Sequence, residues 1–337
     1  MKTYLKLLFI PTVIFSCASQ KLNKGEFLRQ PQSELSQSPV FFEKIKIKNL
    51  TDYQRAGFLL ETKNSEFKGC VIYLQGLGDS IQNHYPLFNK LSNAGYRVLA
   101  FDYLGQGESE GSMAKTRINS KGDPFPKNDD YEIGVQAKFI WERYSANNDP
   151  IYGRNCAQSK KRVIGWSTGG LAAYKLANEG WANEVVLVAP GIAPNICVGE
   201  AGKSSLIQCT AKNLSLDHII TLRTLTSNSY VNTLNPHFES IKPSRFLEIK
   251  EFAINLVSTA YLQARFWKIS PEVKGIVFLS GKEDTYVNRD KTNKVLKKNA
   301  SHFKIIKYDG ALHEIDNEIP QIANDMHEKT IQFFDLN

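Results

Sequence analysis

Ser167 stands in the run Ile164-Gly165-Trp166-Ser167-Thr168-Gly169-Gly170, with a glycine two residues away on either side. A serine hydroxyl is a weak nucleophile at neutral pH and needs a neighbouring base, which in turn needs an orienting carboxylate. In a chain of 337 residues, one G-x-S-x-G arises by chance in roughly one case in ten. The motif therefore gains meaning only if a base and an acid lie where the fold would deliver them. His313 in YDGALHEIDNE and Asp284 in SGKEDTYVN are the candidates. Glu283, Asp309 and Asp316 compete with Asp284 for the acid's role.

The elements that must position these residues follow from hydrophobic patterning. FFEKIKIKNL and QRAGFLLET read as an antiparallel pair of strands. CVIYLQG is a nearly continuous apolar run, as a strand covered on both faces should be. From there strands and helices alternate. Strands are predicted over 97–105, 161–166, 184–190, 275–281 and 303–310. Helices are predicted over 85–96, 129–144, 168–180, 289–300 and from about 320 to 334, the second with aspartates as its N-terminal caps. This order means a mainly parallel sheet with helices on both faces. Residues 191–269 break the rhythm with Ser, Thr and Asn and with aromatic-bearing helical pieces, and read as an insertion above the sheet. The core is thus assigned to 41–190 and 270–337.

In such a sheet, ligands bind beyond the carboxyl ends of the strands. Ser167, Asp284 and His313 each fall just past a predicted strand end, in the order Ser, Asp, His. The segment around Ser167 is a strand, a tight turn and a helix, as a nucleophile elbow requires. Attack on a carbonyl would build negative charge on its oxygen, which two backbone N–H groups can stabilise. Thr168, next to the serine, and Leu77, in the QGLGDS loop after strand CVIYLQG, are the candidate donors.

With YLQGLGDS, AGYRVLAFDYLGQGESEG, GWSTGG, SGKEDTYV and YDGALHEIDNE in place, the sequence resembles α/β-hydrolases of the monoacylglycerol lipase, lysophospholipase and serine-aminopeptidase-like group. The resemblance spans most of residues 70–318 and leaves the insertion unmatched. It implies an α/β-hydrolase fold with an inserted helical lid over 191–269. It also implies Ser167 as nucleophile, Asp284 as orienting acid, His313 as base, and Leu77 and Thr168 as oxyanion donors. Three positions depart from the family pattern: Gln75 and Gln106 replace histidines, and Trp166 replaces a frequent histidine beside the nucleophile. These departures bear on substrate preference, since no triad member is lost.

The remaining composition narrows the function class. The net charge is +8, spread along the chain, with no RNP, zinc-finger or arginine-rich pattern, so no nucleic-acid partner is expected. His84, His218, His237, His302 and His327 form no metal-ligand pair, and no metal or cofactor is expected. Glycines 105, 107 and 111 lack the Lys-Ser/Thr of a phosphate loop and read as a turn beside the site.

MKTYLKLLFIPTVIFSC has lysines at 2 and 6, a short apolar run over 7–15 and a small residue before Cys17. That run is too short to span a bilayer and has the form of an export signal. It resembles a bacterial lipoprotein signal over 1–17, which implies lipidation at Cys17 and a membrane anchor. Ala18 after Cys17 then implies the outer membrane on its periplasmic or surface side; ordinary secretion with cleavage near Ala18 is the alternative. Residues 18–40 read as a flexible tether. Of the other cysteines, Cys197 and Cys209 flank a Gly/Ser-rich loop that a disulfide would staple, and Cys70 and Cys156 each precede a strand at one sheet end. For each pair the alternative is buried free thiols.

The function expected from all of this is a serine hydrolase of carboxylic esters, acting on a small monoacyl lipid such as a lysophospholipid or monoacylglycerol. An amidase or peptidase of the same fold and a non-catalytic ligand-binding surface lipoprotein are the alternatives.

Overall fold

The computed structural model describes residues 40–61, 65–123, 128–145, 156–195 and 246–337. Cys17, Cys197 and Cys209, the export segment, most of the tether and residues 196–245 of the insertion lie outside the described residues.

Eight strands form one sheet: β1 (Val40–Lys46), β2 (Tyr53–Leu59), β3 (Gly69–Leu74), β4 (Tyr96–Phe101), β5 (Arg162–Trp166), β6 (Glu184–Val188), β7 (Lys274–Leu279) and β8 (Lys304–Lys307). Their spatial order is β1-β2-β4-β3-β5-β6-β7-β8. β1 pairs with β2, and β2 with β4, in antiparallel fashion, while all other pairings are parallel. The expected antiparallel pair and the expected parallel sheet are both present.

β3, β5 and β6 are buried along their whole length, which is why their sequences are apolar without alternation. The two faces are still separable. Ile72 and Leu74 of β3 pack with one apolar cluster, alongside α2 (Ile133–Ser145), α3 (Thr168–Asn178) and Leu296 of α5 (Arg289–Asn299). Val71 and Tyr73 point into the other cluster, with α1 (Tyr85–Asn93) and α6 (Pro320–Leu336). Residues two apart share a face, as strand geometry demands.

The described part of the insertion carries α4 (Phe246–Ser258), then a π turn over Thr259–Gln263 and a 3-10 turn over Ala264–Phe266. Phe252 is buried in the first apolar cluster. Asn255 ties α4 to the loop before α2, accepting from the Ile118 amide at 2.8 Å and donating to the Asn119 carbonyl at 2.9 Å.

One local expectation is corrected. The aspartates at 129 and 130 do not cap a helix that begins there; they form a 3-10 turn, Asp129–Tyr131, whose cap is the Asn128 side chain. The α-helix starts at Ile133. Here Asn128 offers its side-chain oxygen to the Asp130 amide, one residue earlier than the pattern of acids suggests.

β4 lies on one side of β3 and β5 on the other. Successive connections therefore run in opposite directions from β3, and a crevice opens beyond the carboxyl ends of β3 and β5. Cys70 and Cys156 form a disulfide at the opposite end of the sheet, with Cα atoms 5.5 Å apart. This resolves the alternative between bridge and free thiols for that pair.

Candidate active site

Ser167 follows the last residue of β5 and immediately precedes α3. Its backbone has φ 54° and ψ −114°, a conformation that side chains other than glycine rarely adopt. Neighbouring contacts hold it there. The Ser167 amide donates to Val188 at 2.9 Å, and its carbonyl accepts from Gly191 at 2.7 Å. A side chain on Gly165 would overlap the Gly169 carbonyl, and one on Gly169 would overlap the carbonyls of Leu74 and Gln75. The glycines are thus demanded by close approach of the elbow to its own turn and to the end of β3.

The Ser167 Oγ lies 2.7 Å from His313 Nε2, and His313 Nδ1 lies 2.9 Å from Asp284 Oδ2. A carboxylate can only accept, so Nδ1 carries the proton and donates it to Asp284. Nε2 is then left with its lone pair facing the serine hydroxyl. The three side chains arrive from the ends of β5, β7 and β8, and His313 and Asp284 are buried.

Asp284 is itself held on all sides. Its Oδ1 accepts from the amides of Tyr286 at 2.7 Å and Val287 at 3.0 Å, and its Oδ2 from the Ser280 hydroxyl at 2.5 Å. Burial alone would raise its pKa. The adjacent His313, with the hydrogen bonds from His313, Ser280 and Val287, outweighs burial and holds it below the usual carboxylate value. The competing acids lie elsewhere. Glu283 is exposed, Asp309 pairs with Arg289 at 2.5 Å on the surface, and Asp316 pairs with His84.

Leu77 sits in the turn after β3, partly buried against the first apolar cluster. Gln106 Oε1 accepts from the Gly78 amide at 2.5 Å and the Asp79 amide at 3.3 Å. Gln75 donates to the Asp79 carbonyl at 3.0 Å, and the Tyr103 hydroxyl donates to the Gln75 carbonyl at 2.8 Å. The two glutamines that depart from the family pattern therefore shape the turn that carries Leu77. Trp166, the third departure, fills the space beside Gly76, where an added side chain would overlap its ring. Its indole N–H donates to the His313 carbonyl at 3.0 Å. Thr168, buried, opens α3 directly after the serine.

Sequence reasoning did not single out Ser280, Tyr286 or the surroundings of His84. Tyr286 stacks on His313 with ring centroids 4.9 Å apart. Ser280 and Tyr286 both lie in the SGKEDTYV piece that supplied Asp284, so that short motif held three site residues. His84, read as structural or surface, is fully buried behind Trp166. Among the described residues, His84, Glu314 and Asp316 form a group whose potential ligand atoms lie within 4.8 Å of one another. No described helix is long and apolar enough to cross a membrane.

Comparison with known proteins places this geometry in context. The family described as alpha/beta hydrolase fold matches residues 69–197, from β3 through the serine elbow to just beyond β6. No curated protein matches the chain in sequence. Among solved structures, a monoacylglycerol lipase from Paleococcus ferrophilus is similar at 16% identity with a TM-score of 0.58, over 85% of this chain and 98% of that one. A soluble variant of a monoglyceride lipase from Saccharomyces cerevisiae, in complex with a substrate analog, is similar at 17% identity with a TM-score of 0.62, over 89% and 96%. A thermostable carboxyl esterase from Bacillus coagulans is similar at 15% identity with a TM-score of 0.60, over 88% and 98%.

Proposed function

We propose that this chain, which has the α/β-hydrolase fold, is a serine hydrolase that cleaves carboxylic esters through an acyl-enzyme. The observation that carries the reading is the hydrogen-bonded chain from Ser167 through His313 to Asp284, at 2.7 and 2.9 Å.

In the first half-reaction, Ser167 Oγ attacks the ester carbon and its proton passes to His313 Nε2. Asp284 keeps the ring oriented and stabilises the imidazolium that forms. The amides of Leu77 and Thr168 receive the negative charge on the carbonyl oxygen. When the carbon–oxygen bond to the alcohol breaks, His313 returns the proton to the leaving oxygen. In the second half-reaction, water gives a proton to His313 as it attacks the acyl carbon. The bond to Ser167 then breaks, and the proton returns to Oγ with release of the acid.

Residues 191–269 act as a lid that shapes the acyl pocket, and the substrate is a monoacyl lipid ester such as a lysophospholipid or monoacylglycerol. Support for this finer reading comes from the aromatic and apolar content of the insertion and from neighbours whose names are monoacylglycerol and monoglyceride lipase. The mature chain is anchored to a membrane by lipid on Cys17, outside the cytoplasm. The Cys70–Cys156 disulfide supports an oxidising compartment of that kind.

The test is an assay of glycerol and glycerophospholipid monoesters of graded acyl length beside a peptide amide panel, with Ser167→Ala as control. Turnover that grows with acyl length and vanishes in the variant is expected. A preference for short soluble esters removes the lipidic substrate, preference for amides favours a peptidase, and failure of every class turns the function toward binding.

A further inference from the structure

His84 has no place in the reaction just described, yet it is fully buried with a carboxylate oxygen at each ring nitrogen. Nε2 lies 2.5 Å from Asp79 Oδ2, and Nδ1 lies 2.5 Å from Asp316 Oδ2. A neutral imidazole has one N–H and can satisfy only one of these acceptors, whereas the imidazolium donates to both. The two carboxylates are on different loops. Asp79 is two residues after Leu77, in the turn built by Gln75 and Gln106. Asp316 is three residues after His313. Asn317 adds a parallel link, donating to the Asn83 carbonyl at 2.9 Å and to Glu314 at 2.5 Å.

We propose that His84 is a positioning residue: held as an imidazolium between Asp79 and Asp316, it clasps the oxyanion turn to the loop that carries the base. The proposal rests on the esterase reading for its catalytic meaning. The loops join the sheet at separate strands, β3 and β8, which lie four places apart in it. Their relative placement is therefore not fixed by strand pairing, and a charged link across the gap supplies what the sheet does not. Trp166 is the second member of the link, its ring centroid 5.5 Å from that of His84 and 5.4 Å from that of His313.

The charges around His84 agree with a cation. Burial would lower its pKa, but Asp79 and Asp316, by charge and by hydrogen bond, raise it well above the usual histidine value. The other titratable groups close by are Tyr73 on β3, Glu314 on the base loop and His327 on α6. His327, by contrast, is pushed down to about 4, mainly by burial, and donates from Nε2 to the Asp316 carbonyl at 2.9 Å. It adds no positive charge beside Asp316.

Two measurements on the full chain test this. In histidine-labelled wild type, nitrogen NMR should show both ring nitrogens of His84 protonated at about pH 8, well above the ordinary histidine value of roughly 6.5. A neutral ring at that pH overturns the proposal. So does a stoichiometric divalent cation, removable by chelator, on His84, Glu314 and Asp316, because a metal ligand needs the lone pair that the clasp protonates. In His84→Gln, kcat should fall about 10- to 100-fold with KM within about threefold, since misplaced groups damage the transition state more than binding. The acid limb of kcat/KM should also move to higher pH, because a positive charge behind His313 has been removed. Loss of thermal stability with unchanged kcat and an unmoved acid limb overturns the positioning role. Asp316→Asn, which keeps the shape of the clasp and weakens its charge, should also lower kcat with KM little changed, but without the upward move of the acid limb, because it removes a negative rather than a positive charge. The two readings fail separately: no Ser167-dependent turnover in wild type removes the esterase reading, while a neutral His84 in an active wild type removes the clasp alone.

Discussion

The indole N–H of Trp166 donates to the backbone carbonyl of His313 at 3.0 Å, so the residue before Ser167 holds the loop that carries His313. The hydrogen bond crosses from the end of β5 to the loop after β8. Replacing Trp166 by Phe keeps most of the apolar contact with Gly76 and deletes the donor. The expected outcome is a stability loss of about 1 kcal/mol and a kcat lowered about 10-fold with little change in KM. Denaturant unfolding and steady-state kinetics on the same preparation measure both. Unchanged kcat would mean that the loop needs no such tether.

Gly169 packs against the carbonyls of Leu74 and Gln75, and an added Cβ has no room between them. Both obstacles are backbone atoms at the end of β3, which cannot move without breaking sheet pairing. Gly169→Ala should therefore abolish activity and cost on the order of 2–3 kcal/mol, which lowers the melting temperature by about 3–5 °C for a domain of this size. Gly180→Ala is the control. Nothing lies within 4 Å of its added Cβ, but its φ is +67°, so about 1 kcal/mol is lost while activity is retained. Calorimetry and an ester assay separate the two.

Cys70 and Cys156 are joined across 86 residues of sequence. Closing a loop of that length restricts the unfolded chain, and about 3–4 kcal/mol of stability is the expected contribution. Non-reduced peptide mapping should find the linked pair. A reductant, or Cys156→Ser, should shift the denaturant midpoint down by the corresponding amount. A midpoint indifferent to reductant would contradict the bond.

Much of the fold was legible because the strands that form it are apolar on both faces. β3, β5 and β6 stand out in the sequence for the same reason that they are buried in the sheet. Ser167 and Asp284 were legible as candidates because each follows such a strand, and His313 because it follows the short, partly exposed β8. What escaped was the wiring behind them. Nothing in the spacing of His84 and Asp316, 232 residues apart, signals that they meet, because their contact depends on the placement of two loops at separate strands. Ser280 and Tyr286 were hidden for a different reason. Their contacts are with Asp284 and His313, whose positions had first to be known. Gln75 and Gln106 looked like departures that would alter substrate preference, and in the structure both hold the turn around Leu77.

Asp102 offers a test by pH. It is fully buried, and its carboxylate accepts from the Ile81 amide at 2.9 Å and the Glu108 amide at 3.0 Å. Burial dominates those donors and raises its pKa to about 7. The folded protein thus binds this proton more tightly than the unfolded chain. The resulting stability is fully present below about pH 4, is lost as pH rises to about 7, and is constant above that. Asp102→Asn does not titrate. Relative to wild type it should gain about 4 kcal/mol between about pH 4 and pH 8, read from denaturant unfolding at each pH. A constant difference across that range would show that Asp102 is ionised throughout in the folded protein.

The central claim is that Ser167 carries the acyl group, and trapping that intermediate tests it most directly. The protein would be mixed with a long-chain p-nitrophenyl ester, quenched in acid within the burst phase and digested for mass spectrometry. The account predicts one acyl adduct, on the peptide containing Ser167. It further predicts that His313→Ala slows the formation of that adduct about 10⁴-fold or more. An adduct on another residue, or ester turnover that persists in Ser167→Ala, would contradict it.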